Sequence, residues 1–421
     1  MIQSSTIASA YSPPFRIVSK YFIAAIVSFV VLNLLLLLYH SDIYGHHFNP
    51  RILAITHTAT LGWITMIIFG ALFQLVPVVL EVKLFSEVLA EIQFWIYLIG
   101  VIGLVYCFWF FETGFYMNIS AILLNVAMFI FSFNIIITFT RVKNCNITGW
   151  YLASAIFYLI DTAVAGLQLA INLGSPYIKI DHLKYLNLHA HVAFIGWVSM
   201  VVMGVTYKLI PMFTLSHGYK MVYAKWSFWL INIGLLGINT IFHYEDTTFL
   251  YYIFTPMIAL GILLFLVQVS IIFQNRVRKK LDTGLRFSSY AYLMLGLTMV
   301  LGTFIAFIDY QNILNLTLIY GYMIIFGYLS MLIVGQMYKI VPFLVWYHKY
   351  SSKVGIEKVP MLKEMFNEKY AGYGLYLMIA AIIGTIYSLT FQSETGLIAS
   401  FSIMLLSSII FSLNMITIFR K

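Results

Sequence analysis

The chain has 421 residues, of which 62% are hydrophobic and only 9% carry a formal charge. This composition excludes a soluble globular protein of such length, because too few polar side chains are present to cover its surface. The net charge of +9 reflects an uneven distribution of Lys and Arg between loops and does not indicate nucleic-acid binding. The two cysteines, Cys107 and Cys145, predict neither a disulfide nor a thiolate metal site.

Apolar stretches of about 20 residues, long enough to cross a hydrocarbon core of about 30 Å, recur along the whole chain. Their continuous apolar character favours helices over the alternating strands of a membrane barrel. A flexible cytoplasmic tail, residues 1–18, is expected to precede a single transmembrane domain, residues 19–421. We predict twelve transmembrane helices, at about 19–39, 53–80, 89–111, 117–140, 148–172, 187–214, 223–243, 249–273, 288–309, 314–345, 370–391 and 396–418.

One hydrophobic phrase occurs three times, on helices 2, 6 and 10. The copies read HTATLGWITMIIFGALFQLVP, HVAFIGWVSMVVMGVTYKLIP and YMIIFGYLSMLIVGQMYKIVP, and they begin at His57, His191 and Tyr322. Repetition at this spacing predicts three pseudo-symmetric four-helix repeats, about 19–140, 148–273 and 288–418. Two glycines eight residues apart in each copy predict a seam of close helix packing. The proline that closes each copy, at positions 77, 211 and 342, is expected to end the regular helix.

Lys and Arg residues fall mostly at the termini and in the loops after even-numbered helices. The opposite side has only Arg51, Lys179 and Lys184. The positive-inside rule therefore predicts a multi-pass protein of a bacterial-type inner membrane, with both termini in the cytoplasm.

Histidine supplies the candidate ligands, because eight of the ten histidines are predicted at the outer side. His57 and His191 share the first phrase position, and a pseudo-threefold bundle would bring their helices to its centre. An ionisable residue inside a membrane span is a functional candidate because its burial is costly. Ligation of haem or a metal competes with an interfacial histidine that bonds to backbone or water. Tyr322 holds the same position in copy three and is included as a candidate cofactor-binding residue.

Two further residues join this candidate set. His189 and His191 point about 200° apart on a helix, so they cannot both bind one ion. The phrase alignment directs His191 to the centre and leaves His189 for a second metal ligand or the outer water. Arg51 has a guanidinium suited to a carboxylate such as a haem propionate, or it is an ordinary residue at a helix end.

Asp161 is the one carboxylate well inside a predicted span. It is either a member of a proton relay, held neutral by its surroundings, or a hydrogen-bonded structural acid. The sequence leaves both alternatives open.

The phrase-bearing segments resemble a known family. PRILAITHTATLGWITMIIFGALFQLVP resembles the helix-2 region of the haem-copper oxidase subunit I superfamily, especially the cbb-type and nitric oxide reductase branches. In that family this region carries the axial histidine of the low-spin haem, which implies that role for His57. His191 lies on the helix that carries a copper ligand in the family. The pair in LHAHVAFIGW also resembles the NnrS family of haem-containing membrane proteins linked to nitric oxide stress.

The chain departs from the oxidases at two helices. Helix 10 has no histidine, and helix 7 has only His243 at its outer end where the family has a copper-binding pair. The resemblance therefore implies haem b or copper near the outer face and a redox, nitric oxide or copper-related role rather than full oxygen reduction. If the protein is an enzyme, it is expected to be an oxidoreductase. Expected partners are the lipid bilayer, a small gas or metal ligand, and a redox partner or second copy. The alternative is a cofactor-free transporter or oxidase-assembly scaffold.

Overall fold

The computed structural model describes residues 11–46, 48–179, 181–241, 249–307 and 314–421. Within these ranges the fold is all-helical, with no named strand. The long helices are α1 Phe15–Leu38, α2 Pro50–Leu80, α3 Glu87–Phe110, α4 Phe115–Phe139, α5 Ile147–Gly174, α6 His182–Thr214, α7 Val222–Ile241, α8 Tyr251–Gln274, α9 Thr283–Phe307, α10 Asn315–Lys353, α11 Glu368–Thr390 and α12 Glu394–Arg420.

Eleven of these helices are long and apolar enough to cross a bilayer. The exception in the described ranges is α7, a helix of 20 residues that includes Lys225, Asn232 and Asn239. His243, expected at the end of this helix, lies outside the described residues. Several helices expose long apolar faces, as α9 does through Leu293 and Val300. Such faces suit hydrocarbon rather than water, so the chain is a multi-pass membrane protein in contact with lipid.

The chain packs as two compact units. The first contains α3 to α8, together with α1 up to Tyr21 and α2 from Ile68. The second contains α9 to α12, together with α1 from Phe22 and α2 up to Ile67. The boundaries of these two units differ from those of the three predicted four-helix repeats. The repeats therefore stay a prediction.

The first helix begins earlier than the sequence predicts. It starts at Phe15, directly after Pro13 and Pro14, and the Ile17 N–H donates to the Pro14 carbonyl at 3.0 Å. Proline suits a helix start because its fixed φ is already helical. The expected tail of residues 1–18 therefore overlaps this helix, and its first ten residues lie outside the described part.

A π-helical segment interrupts each of the three phrase-bearing helices. The segments are Thr58–Thr65 in α2, Val192–Ser199 in α6 and Met323–Ser330 in α10. Each has eight residues and begins directly after the first phrase position. The three copies therefore share a local structure as well as a sequence. Segments of this kind are rare and occur frequently at functional sites.

The predicted glycine seams are confirmed in α6 and α10. A Cβ added at Gly204 would lie 2.8 Å from the Cβ of Tyr151 on α5. A Cβ added at Gly335 would lie 2.6 Å from the Cβ of Phe287 on α9. These distances are shorter than normal carbon contacts. Helices α6 and α10 therefore each pack closely on the helix that precedes them in sequence.

The prediction that proline ends each regular helix is wrong. Pro77, Pro211 and Pro342 all lie inside helices. In α2 and α6 the chain turns four residues later, at Glu81 and Leu215, which adopt left-handed φ values of 56° and 55°. Proline is tolerated in membrane helices because neighbouring groups satisfy the freed carbonyls.

Candidate cofactor site and polar stripe

The ring of His57 is held at the end of the first α-helical part of α2, directly before the π segment. Its Nδ1 lies 2.8 Å from the carbonyl oxygen of Leu53. A carbonyl only accepts, so Nδ1 carries the hydrogen and the neutral ring has its lone pair on Nε2. Metal-binding histidines are oriented by a bond of this kind. This tautomer and fixed ring suit a ligand, and they equally suit a histidine that only bonds to backbone.

His191 repeats this arrangement in α6. Its Nδ1 lies 2.7 Å from the carbonyl oxygen of Asn187, again four residues earlier, and its side chain is exposed. His191 belongs to the first compact unit and His57 to the second. Joint binding of one group by both residues stays a prediction.

His189 lies against α5 rather than beside His191. A Cβ added at Gly166 would be 3.1 Å from the His189 Cε1 atom, so the imidazole occupies the space over this glycine. A two-residue separation on a helix accounts for the different surroundings of the two histidines.

Tyr322 takes the place of a histidine at the start of the α10 phrase. Its ring stacks on Phe326 with centroids 4.7 Å apart. Its hydroxyl faces Thr385 of α11 without reaching hydrogen-bond geometry, and neither hydroxyl has a hydrogen-bond partner among the described residues.

The π segments of α2 and α10 pack on each other within the second unit. The indole Nε1 of Trp63 donates to Ser330 Oγ at 3.0 Å, and both residues are fully buried. Trp63 also stacks on Phe29 of α1, with ring centroids 4.4 Å apart. The hydrogen bond between Trp63 and Ser330 holds together the π segments that follow His57 in α2 and Tyr322 in α10.

Arg51 is already engaged at the start of α2. Its Nη1 donates to Asp42 Oδ2 at 3.0 Å, and its guanidinium lies 5.0 Å from the centroid of the Tyr39 ring. The structure thus places Arg51 on the same helix as His57 but in an ion pair, which favours the helix-end interpretation.

The side chains that could donate to a cofactor differ for a haem and for a metal ion held by several residues. Across the described ranges, no three His, Cys, Asp or Glu side chains form a group that could hold a metal ion. A haem needs only one protein ligand, and the fixed imidazole of His57 fits that need.

Comparison with known proteins assigns no family. The chain matches no protein-family model and no curated protein. The resemblance of the phrase to haem-copper oxidases therefore stays a sequence-based prediction.

Sequence reasoning singled out Asp161 but missed the polar residues around it. Ser154, Tyr158, Asp161, Gln168 and Asn172 follow one face of α5, and we name them the α5 polar stripe. Their spacing of three, four or seven residues is a helical signal that was present in the sequence. Their partners on α6 and α7 could not be read from that spacing.

Proposed function

We propose that the chain is a membrane redox protein related to subunit I of the haem-copper oxidases, in which His57 binds a b-type haem. The proposal includes twelve membrane spans in three repeats, both termini in the cytoplasm and a bacterial-type inner membrane. The role is a redox, nitric oxide or copper-related one rather than full oxygen reduction.

Three features of the fold support the repeat. Each phrase copy begins its π segment at the same position. Each predicted repeat closes with a packed helix pair, α3 with α4, α7 with α8, and α11 with α12. The glycine seams of α6 and α10 each lie on the helix before them. These equivalences are the ones expected of three copies of one four-helix unit.

The observation that carries the cofactor proposal is the bond from His57 Nδ1 to the Leu53 carbonyl. It leaves Nε2 as the donor atom and fixes the ring plane relative to α2. A haem held by His57 would supply one-electron chemistry and would be able to bind a diatomic gas. The buried hydroxyls of Tyr322 and Thr385 lie in the same unit as His57.

The decisive experiment is a reduced-minus-oxidised absorption spectrum of the purified full-length protein from cells supplied with haem. We expect a Soret band and an α-band in the wild type, and their loss in His57→Ala. His217→Ala is the matched control, because His217 is exposed in the loop after α6. Size-exclusion profiles of all variants show whether a lost band reflects lost ligation or lost fold.

Each other outcome has a defined meaning. Loss of the bands in His191→Ala as well would assign both histidines to the haem. Copper in the wild type without haem would assign the site to that metal. A colourless, metal-free wild type would refute the proposal and leave a cofactor-free transporter or an assembly scaffold.

A further inference from the structure

The loop between α6 and α7, residues 215–221, lies against the end of α8. The Arg278 N–H, just after α8, donates to the Thr214 carbonyl at 3.1 Å. The Ser216 hydroxyl donates to the Ile272 carbonyl at 2.8 Å. These bonds hold the loop after α6 and the loop after α8 together as one surface within the first compact unit.

Four exposed cations lie on this surface, and we name them the basic cluster. Lys220 precedes α7 and Lys225 lies in its first turn, whereas Arg278 and Lys279 follow α8. Gln268 of α8 donates through Nε2 to the Lys220 carbonyl at 3.1 Å. The backbone segments that carry the two pairs of cations are therefore fixed relative to each other.

No acidic side chain of these segments neutralises the basic cluster. The sequence has no Asp or Glu in residues 206–225 or 266–281. None of the four cations forms an ion pair with a described residue. Arg276 has a different task, because its Nη1 donates to the Phe273 carbonyl at 2.7 Å and so holds the turn. Like charges without a counter-ion repel each other, so an anion that joins them stabilises the surface.

Helix α7 exposes an apolar face that continues from the basic cluster. Exposed side chains at the three- and four-residue spacing of one helix face are Trp226, Trp229, Ile233 and Leu236. From Trp226 to Leu236 this face covers ten residue steps, which is about 15 Å along a helix axis. That length is half of a hydrocarbon core of about 30 Å, or one leaflet. Tryptophan is enriched at the level of the lipid headgroups.

The opposite side of the α7 start is held in place. The Tyr151 hydroxyl of α5 donates to the Ala224 carbonyl at 2.9 Å, and Ala224 is fully buried. The Arg278 guanidinium contacts the Phe213 carbonyl oxygen through Nη1 at 3.5 Å, and its other N–H groups remain for an anion. A guanidinium binds phosphate through two parallel hydrogen bonds, and lysines add point charges.

We propose that the basic cluster and the exposed face of α7 form a binding site for one anionic phospholipid. The phosphate lies at Arg278 and the lysines, and an acyl chain follows the face from Trp226 to Leu236. A loop that only attracts a negative surface needs neither a fixed backbone nor an adjoining aromatic and aliphatic face. The presence of all three favours a defined lipid site. The site depends neither on a haem at His57 nor on the side of the membrane that the cluster faces.

Native mass spectrometry of the full-length protein in a neutral detergent tests this site, with dioleoyl phosphatidylglycerol and dioleoyl phosphatidylcholine as probes. We expect one phosphatidylglycerol to bind in preference to phosphatidylcholine at equal concentration. The double variant Lys220→Gln/Arg278→Gln should bind it about 25-fold more weakly, because each cation near an anionic lipid contributes about fivefold. The matched control, Lys179→Gln/Lys184→Gln, removes two exposed charges near the other end of α6 and should leave binding unchanged.

Tryptophan fluorescence tests the placement of the acyl chain. Phosphatidylglycerol with brominated chains should quench the emission more than brominated phosphatidylcholine at the same mole fraction. This excess quenching should decrease in Trp226→Phe and in Lys220→Gln/Arg278→Gln. Excess quenching that stays the same in Trp226→Phe would refute the placement of the chain along α7.

Three results of the binding experiment would overturn the lipid site itself. The first is equal binding of the two lipids by the wild type. The second is an equal loss of phosphatidylglycerol in the two double variants, which would reduce the effect to overall charge. The third is displacement of the lipid by free glycerol phosphate at equal concentration, which would assign the cluster to a soluble phosphate.

Discussion

Gly335→Ala tests the seam between α9 and α10. The new Cβ would lie 2.6 Å from Phe287 Cβ and 2.7 Å from the Gly284 carbonyl oxygen. Ordinary carbon contacts are about 3.5–4.0 Å, so the carbon contact is about 1 Å too short. A Cβ and a carbonyl cannot rotate away, so the two helices must separate. Overpacking of this kind costs about 1–3 kcal/mol of unfolding free energy.

Gly321→Ala is the matched control on the same helix, because an added Cβ there meets nothing within 4 Å. Replacing an unobstructed helical glycine by alanine should stabilise by about 0.5–1 kcal/mol. Reversible unfolding by SDS titration in mixed micelles measures both changes. We expect opposite signs and a difference of at least about 1.5 kcal/mol. Equal stabilisation by both variants would show that α9 and α10 do not pack closely at Gly335.

Two further predictions concern the aromatic centre of the second unit and a loop cysteine. Trp63→Phe should keep the stack on Phe29 but lose the hydrogen bond to Ser330, which should lower the unfolding free energy by about 1 kcal/mol. A double-mutant cycle with Ser330→Ala, measured by SDS titration, tests this bond. Purely additive losses of unfolding free energy would contradict it. Partial burial raises the pKa of the Cys145 thiol, so less reactive thiolate exists at neutral pH. Maleimide should label Cys145 more slowly than a model thiol near pH 7, and the labelling should accelerate as the pH rises through the raised pKa. Equal labelling rates of Cys145 and the model thiol near pH 7 would refute this.

The membrane-spanning helices could be predicted from the sequence because the thickness of the bilayer alone sets the length of an apolar stretch that crosses it. Eleven of the twelve predicted spans correspond to helices of suitable length and hydropathy. The glycine seams were also predictable, since small residues eight apart fall on one helix face. These features depend on composition and periodicity, which a single chain displays directly.

The π segments and the stripe partners were not predictable in the same way. A π segment replaces the i→i+4 hydrogen bonds of the backbone by i→i+5 bonds, and no single residue type specifies this change. The pairing of Asp161 with Asn239 likewise requires the rotation of α5 relative to α7. The proline prediction failed for a related reason, because surroundings rather than Pro77 itself decide whether α2 continues.

The π segment of α2 also sets the rotational phase of the helix. If the same eight residues formed ordinary α-helical bonds instead, the part that carries His57 would turn by about 100°, the rotation of one residue, relative to the helix that follows. The direction in which the His57 ring faces is therefore a property of this one widened turn.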